Sequence, residues 1–235
     1  MLTIDLSLSM ETEDMKTTAG MTDRLSAVKT VVSDFIKQRP GDRLGLVVFG
    51  EHAYLQTPLT FDRQTVQEQL ERTIAGMIGN STSIGEGLGI ATKTFIDSDA
   101  PQRVIILLSD GANTSGVLDP IEAAELAKEH NVTIYTVGVG ADEILHRSFF
   151  GTERINPSRD LDEATLTKIA ALTGGKYFRA RNPKELENIY QLINQLEPVN
   201  TAEQTWRPRD ELFRYPLTVA LVLSVFIVLL RRQYG

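Results

Sequence analysis

Asp5, Ser7 and Ser9 occupy alternate positions in the opening stretch MLTIDLSLSM. Alternate residues of an extended strand share a face. A strand entering at Leu2–Ile4 therefore delivers three oxygen-bearing side chains to one crevice where the chain turns. Two other segments carry matching chemistry. Asp110 follows the apolar run VIILLS and precedes Gly111, which sets a carboxylate at the carboxyl end of a strand. Thr82 lies in GNSTSIGEGL, where Ser and Thr lead into a helix. Together Asp5, Ser7, Ser9, Thr82 and Asp110 offer two carboxylates and three hydroxyls from three loops. This donor set suits a hard divalent cation, Mg2+ first, with Mn2+ and Ca2+ as alternatives. Neutral hydroxyl ligands leave such a cation electron-poor and able to accept a further carboxylate from outside. Taken alone, the Asp/Ser run reads more readily as a cap and turn; the metal reading needs Thr82 and Asp110 beside it.

The elements that must position these residues are read from periodicity. LGLVVFG (44–50) and RVIILLSDG (103–111) are continuous apolar runs bounded by turn residues, as expected of strands covered on both faces. VTIYTVGVG (132–140) is a third strand, and KYFRA a last short one. Helical spacing appears over 23–38, 62–77 (Val66, Leu70, Ile74, Met77) and 84–97, and again over 119–130, 161–175 and 182–197. Asp119 and Pro120 are in the order of an N-cap and first helical residue. Segment 141–160 shows no period and reads as a loop or insertion. This alternation predicts a doubly wound α/β domain over 1–197 with a mostly parallel central sheet and helices on both faces. Ligands of such sheets bind beyond the carboxyl ends of the strands, where Asp5 and Asp110 fall.

With 235 residues, 42% hydrophobic and 23% charged, the chain is composed for one good core. A net charge of −7 without Lys/Arg clusters argues against nucleic acid as a partner, and zero cysteines exclude disulfides and thiolate metal sites. The C-terminus differs in kind. YPLTVALVLSVFIVLL (215–230) carries no charge and is followed by Arg231 and Arg232. Extended back to Leu212 it makes a helix of roughly 28 Å, close to a bilayer core of about 30 Å. A transmembrane helix over 212–232 after a linker at 198–211 is expected, a buried core helix being the alternative. The arginine pair then faces the cytoplasm and the domain lies outside it.

The Asp-x-Ser-x-Ser run, the Thr of NSTSIGEGL and the Asp of LLSDG, in that order, resemble the metal-ion-dependent adhesion site of von Willebrand factor A (VWA) domains. RPGDRLGLVVFGEHAYLQTPLTFD, STSIGEGLG, VIILLSDGANTSG, YTVGVG and GGKYFRA, with the C-terminal apolar helix, are similar to the membrane-anchored BatA/BatB-type aerotolerance proteins. The resemblance covers nearly the whole chain. It implies that Ser7, Ser9 and Thr82 contact the metal directly, and that Asp5 and Asp110 act directly or through water. Leu8 replaces a glycine common at its place, and its side chain should face away from the metal. Gly85 and Asn113 belong to the same rim. The resemblance further implies a bacterial inner-membrane location, VWA or tetratricopeptide proteins as partners, and a functional link to a MoxR-type AAA+ ATPase, which would lie across the membrane from the domain. Such proteins carry a longer first strand and a preceding hydrophobic segment, so a truncated start is expected here.

Other residues near these motifs admit competing readings. Met10, Met15 and Met21 lie in a polar loop beside the site, where flexible thioethers could grip a partner or simply pack; with Asn113, Met10 and Met15 are the candidate partner contacts. Glu11, Glu13 and Asp14 read as a solvated loop, and His52, His130 and His146 have no ligand spacing. VGVG (137–140) reads as a strand end rather than a dinucleotide loop. A protein-binding module, with the metal completed by a partner's acidic side chain, is the leading function; no residue is assigned as catalytic. A Mg2+-dependent phosphoryl-transfer enzyme is the alternative, weakened by the lack of a phosphate-binding G-x-x-x-x-G-K-[ST] and of a second carboxylate at Ser7.

Overall fold

The computed structural model describes residues 1–198 apart from 19, 99, 149 and 150, with the backbone alone over 144–153, and then positions 215–218, 220, 224 and 227. Residues 1–200 form one compact unit and 201–235 a second. In the first unit a six-stranded sheet is built from β1 (Leu2–Asp5), β4 (Leu44–Phe49), β5 (Ala53–Thr60), β6 (Val104–Ser109), β7 (Thr133–Val139) and β10 (Tyr177–Ala180). The order across it is β10-β7-β6-β1-β4-β5, with every pair parallel except β4 and β5. Two small antiparallel pairs stand apart: β2 (Met15–Lys16) with β3 (Met21–Thr22), and β8 (Ile144–Ser148) with β9 (Gly151–Ile155).

Alternate strand residues feed two different cores, as a pleated strand requires. Leu2, Ile4, Leu46, Val48, Ile106 and Leu108 pack on one face against α1 (Arg24–Lys37), α2 (Arg63–Glu71) and α6 (Pro183–Leu196). Val47, Phe49, Ile105, Leu107 and Ile134 pack on the other against α3 (Ile84–Ile96), α4 (Pro120–Glu129) and α5 (Glu163–Leu172). Burial on both faces explains the unbroken apolar runs in β4 and β6. The helices begin where their sequences provide caps: Asp23, Asp62, Asp119, Asp162 and Asn182 each accept a hydrogen bond from a first-turn N–H. The doubly wound α/β domain is as expected, and β1, only four residues long, is central between β4 and β6.

Two expectations are corrected. The helix expected over 62–77 ends at Glu71, and Ile74 and Met77 are exposed. Gly76 takes φ +73° and its N–H donates to the carbonyl of Leu6 at 2.7 Å, so a tertiary bond bends the chain where the apolar period would continue the helix. Segment 141–160, expected without regular structure as a loop or insertion, contains the β8–β9 hairpin. Strand β5, with Pro58 inside it, lies at the sheet edge, where a missing N–H is tolerated.

In the second unit, positions 215–218, 220, 224 and 227 are helical. The rest of the expected span over 212–232, and the linker from 199 onwards, lie outside the described residues. Among the described residues no helix is long and apolar enough to cross a membrane.

Candidate metal centre

β1 and β6 lie side by side and end together, which brings Asp5 beside Ser109 and Asp110. Asp5 Oδ1 accepts from the Ser7 N–H at 2.9 Å, and Oδ2 accepts from the Ser109 hydroxyl at 2.6 Å. The chain then leaves the strand in a 3-10 turn (Leu8–Glu11) that swings Ser9 back over the sheet. Ser9 Oγ donates to Asp110 Oδ1 at 2.7 Å. Its single proton is thereby used, so the Ser7 hydroxyl is the donor in the 3.0 Å contact between Ser7 Oγ and Ser9 Oγ. Thr82 joins from the loop before α3. Its backbone N–H donates to the Thr114 hydroxyl at 3.0 Å and its carbonyl accepts from the N–H groups of Thr114 and Ser115. Its Oγ1 lies 3.7 Å from where a β-carbon on Gly111 would be, so the hydroxyl faces the turn that carries Asp110.

The five sequence-selected oxygens therefore converge. Leu8 is partly exposed with its side chain at Gly76, as expected of a residue facing away. Asn113 is on the rim, where its Oδ1 accepts from the Gly85 N–H at 3.4 Å. The structure corrects the reading of Met10 and Met15 as partner contacts. Both side chains are fully buried in the core shared by β1 and α1, while Met21 is exposed. His52 stands 3.5 Å from Glu86 on the surface.

Asp14 is a second correction. It is buried beneath the site and holds Arg24, also buried. Arg24 Nε donates to both Asp14 oxygens at 3.0 and 3.1 Å, and Nη2 reaches Asp14 Oδ2 at 2.5 Å. The other arm of the fork, Nη1, donates to Asp110 Oδ2 at 2.7 Å. The segment after β7 completes the cradle. Ala141 N–H donates to Asp14 Oδ2 at 3.0 Å, while Pro157 O and Ser158 Oγ accept from Nη2 at 3.1 and 3.3 Å. Gly140, with φ +125°, lets the backbone pass so close that a β-carbon there would meet the guanidinium at 2.8 Å. The sequence held one signal for this pair. Arg24 is the first residue of α1, where a cation opposes the helix dipole and calls for a nearby carboxylate.

Three carboxylates and one guanidinium, each at most 2% exposed, thus share one buried cluster: Asp5, Asp14, Asp110 and Arg24. Fully ionised, that cluster carries two uncompensated negative charges, a costly state in a protein interior. Asp5 shows the cost: burial, then the charge of Asp110, pushes its pKa up to about 7. Burial also raises the pKa of Asp110, against the opposing pull of Arg24 and of the Ser9 hydroxyl. Burial disfavours the Arg24 cation, but its bonds to Asp14 and the charge of Asp110 outweigh that and raise its pKa further.

A divalent cation fits this cluster in charge and in donor chemistry. Two positive charges neutralise it, and hydroxyl with carboxylate oxygen is the ligand set that Mg2+ and its relatives take. The 3.0 Å between Ser7 Oγ and Ser9 Oγ is close to the edge of roughly 3.0 Å between adjacent ligands of an octahedral Mg2+ with bonds of about 2.1 Å. Ser7, Ser9, Thr82 and Asp110 Oδ1 would hold the ion, with Asp5 orienting Ser7 from below.

The family profile of the von Willebrand factor type A domain matches residues 1–192. A curated but uncharacterised protein of Borreliella burgdorferi is 29% identical over 96% of this chain and 67% of its own length. Mycobacterial UPF0353 relatives match as well, and this chain spans 59% of the length of one from Mycobacterium avium. Among solved structures, a conserved hypothetical protein BatB from Bacteroides thetaiotaomicron is 27% identical, with a TM-score of 0.67 over 83% of this chain and 96% of that one. An aerotolerance-related membrane protein from Bacteroides fragilis is 25% identical, with a TM-score of 0.67 over 83% and 95%. A doubly wound sheet whose β1 and β6 ends gather Asp-x-Ser-x-Ser, Thr and Asp into one crevice, matched by that profile over most of its length, makes this chain a member of the von Willebrand factor type A domain family, similar to the BatB-type aerotolerance proteins.

Proposed function

We propose that the domain is a divalent-cation-dependent protein-binding module in which the metal accepts an acidic side chain from a partner. The observation that carries this reading is the buried cluster of three carboxylates and one guanidinium, beside three hydroxyls that add ligands without adding charge. A cation held largely by neutral oxygens keeps enough positive character to take an external carboxylate. Mg2+ is the preferred ion, with Mn2+ or Ca2+ able to substitute. Residues 212–232 anchor the chain in the bacterial inner membrane by a single span, with the domain outside the cytoplasm. The likeness to BatB and to an aerotolerance-related membrane protein supports a place in a Bat-type stress system. Its partners there would be other VWA or tetratricopeptide proteins, with a functional link to a MoxR-type AAA+ ATPase.

Acetate stands in for the partner's carboxylate in the test. Water-proton relaxation of the Mn2+-loaded chain is followed as acetate is added. A saturable fall in relaxivity, as acetate displaces metal-bound water, is expected. Mn2+ that binds but whose relaxivity ignores acetate would overturn the carboxylate-acceptor reading while leaving the metal site intact.

A further inference from the structure

The buried pair Asp14–Arg24 has no place in the donor set, yet it touches the set at its most charged member. Arg24 presents its fork in two directions: Nε and Nη2 lock on Asp14, and Nη1 on Asp110 Oδ2. Asp110 Oδ1 is turned to Ser9 and the crevice. The two oxygens of one carboxylate are thus divided between an internal cation and the metal position.

We infer that Arg24 is a positioning residue for the metal centre: anchored by Asp14, it holds Asp110 Oδ2 out of the crevice and leaves Oδ1 alone to face the ion. This rests on the metal-binding reading above and adds how the ion's character is set. Asp110 cannot chelate through both oxygens while Nη1 holds one, and the guanidinium withdraws part of the charge from the other. The site gives up some affinity for its cation and gains affinity of that cation for an incoming carboxylate. The anchoring is rigid. Asp14 also accepts from the Ala141 N–H, and Arg24 also donates to Pro157 O and Ser158 Oγ, so the end of β7 and the segment after the β8–β9 hairpin fix the fork in place. Lysine could not reproduce this geometry, having no planar fork to span two carboxylates.

The test uses the full chain in mild detergent and the paired substitution Asp14→Asn with Arg24→Gln, which removes the internal ion pair without stranding one of its charges. Mn2+ affinity is read by calorimetry and acetate affinity by relaxation of the loaded protein. The expected result is a Mn2+ affinity higher by about fivefold together with an acetate affinity lower by a similar factor, since the cation beside Asp110 is gone. A purely structural pair would weaken both together or leave both unchanged, and either outcome in a folded variant overturns the inference. Should the variant not fold, a crystal structure of the unsubstituted chain with Mn2+ decides. Arg24 Nη1 still bonded to Asp110 Oδ2, with the metal on the Oδ1 side, supports the inference. A guanidinium swung away, with Asp110 chelating through both oxygens, overturns it. Absence of Mn2+ binding by the unsubstituted chain would overturn the metal reading itself and this inference with it.

Discussion

At the scale of single residues, buried charge dominates the candidate metal centre. Asp5 is shielded from solvent and its carboxyl is pushed up to about 7, by burial first and the charge of Asp110 second. A folded-state value above the unfolded one means that the folded protein binds the proton more tightly. Without metal, Asp5 therefore costs stability progressively as pH rises from about 4 to about 7. With metal the sign reverses, because cation binding requires the ionised form. Calorimetry at pH 6 in buffers of different ionisation enthalpy should show close to one proton released per Mn2+ bound, falling towards none above pH 8. Mn2+ uptake at pH 6 with no proton release would contradict the assignment of Asp5. Asp14 makes a second prediction. Asp14→Ala leaves the Arg24 cation buried with only part of its counter-charge, and loss of one partner of a buried pair typically costs about 3–5 kcal/mol. Urea unfolding measures this, and a loss below about 1 kcal/mol would mean that the pair is not buried as described. Asp5, Ser7, Ser9 and Asp110 were legible as candidate ligands because they follow β1 and β6, and Thr82 because it stands in the Ser/Thr-rich lead into α3. Asp14 and Arg24 were not, since a carboxylate in a polar loop looks solvated until tertiary structure covers it.

At the scale of elements, the site depends on loops that pass close to helix ends. Gly85, in the first turn of α3, has the Leu118 carbonyl where a β-carbon would stand, at 1.9 Å. Its N–H also donates to Asn113, so the loop after β6 and the start of α3 are sewn together beside Thr82. Gly85→Ala must push that loop away, and overpacking of this kind costs typically 1–3 kcal/mol. Metal affinity should fall with it, because Thr82 shares the loop contact through Thr114. A variant within about 0.5 kcal/mol of the unsubstituted chain in urea unfolding would contradict the close approach. The start of α4 and the doubly buried strands were legible, as the Asp119-Pro120 pair and the runs in β4 and β6 attest. The end of α2 was not, because Ile74 and Met77 keep the helical period while Gly76 bonds to Leu6 across the fold. Nor was β5, whose Pro58 weakens the strand signal and is admitted only because the strand lies at an edge.

At the scale of the whole molecule, the domain and the C-terminal apolar stretch are separate units. Flotation with lipid vesicles tests the second: the full chain should rise with the lipid, and a chain ending at residue 198 should stay below. A full chain that remains unbound would contradict the membrane anchor. The first unit is tested by direct titration of Mg2+ and Mn2+ into the full chain in detergent, beside an Asp110→Asn variant that keeps the shape and removes the charge. Saturable binding to one site is expected in the unsubstituted chain, and its loss in a variant that remains folded. Equal binding by both, or none by a folded unsubstituted chain, would contradict the claim that Asp5, Ser7, Ser9, Thr82 and Asp110 form a metal centre.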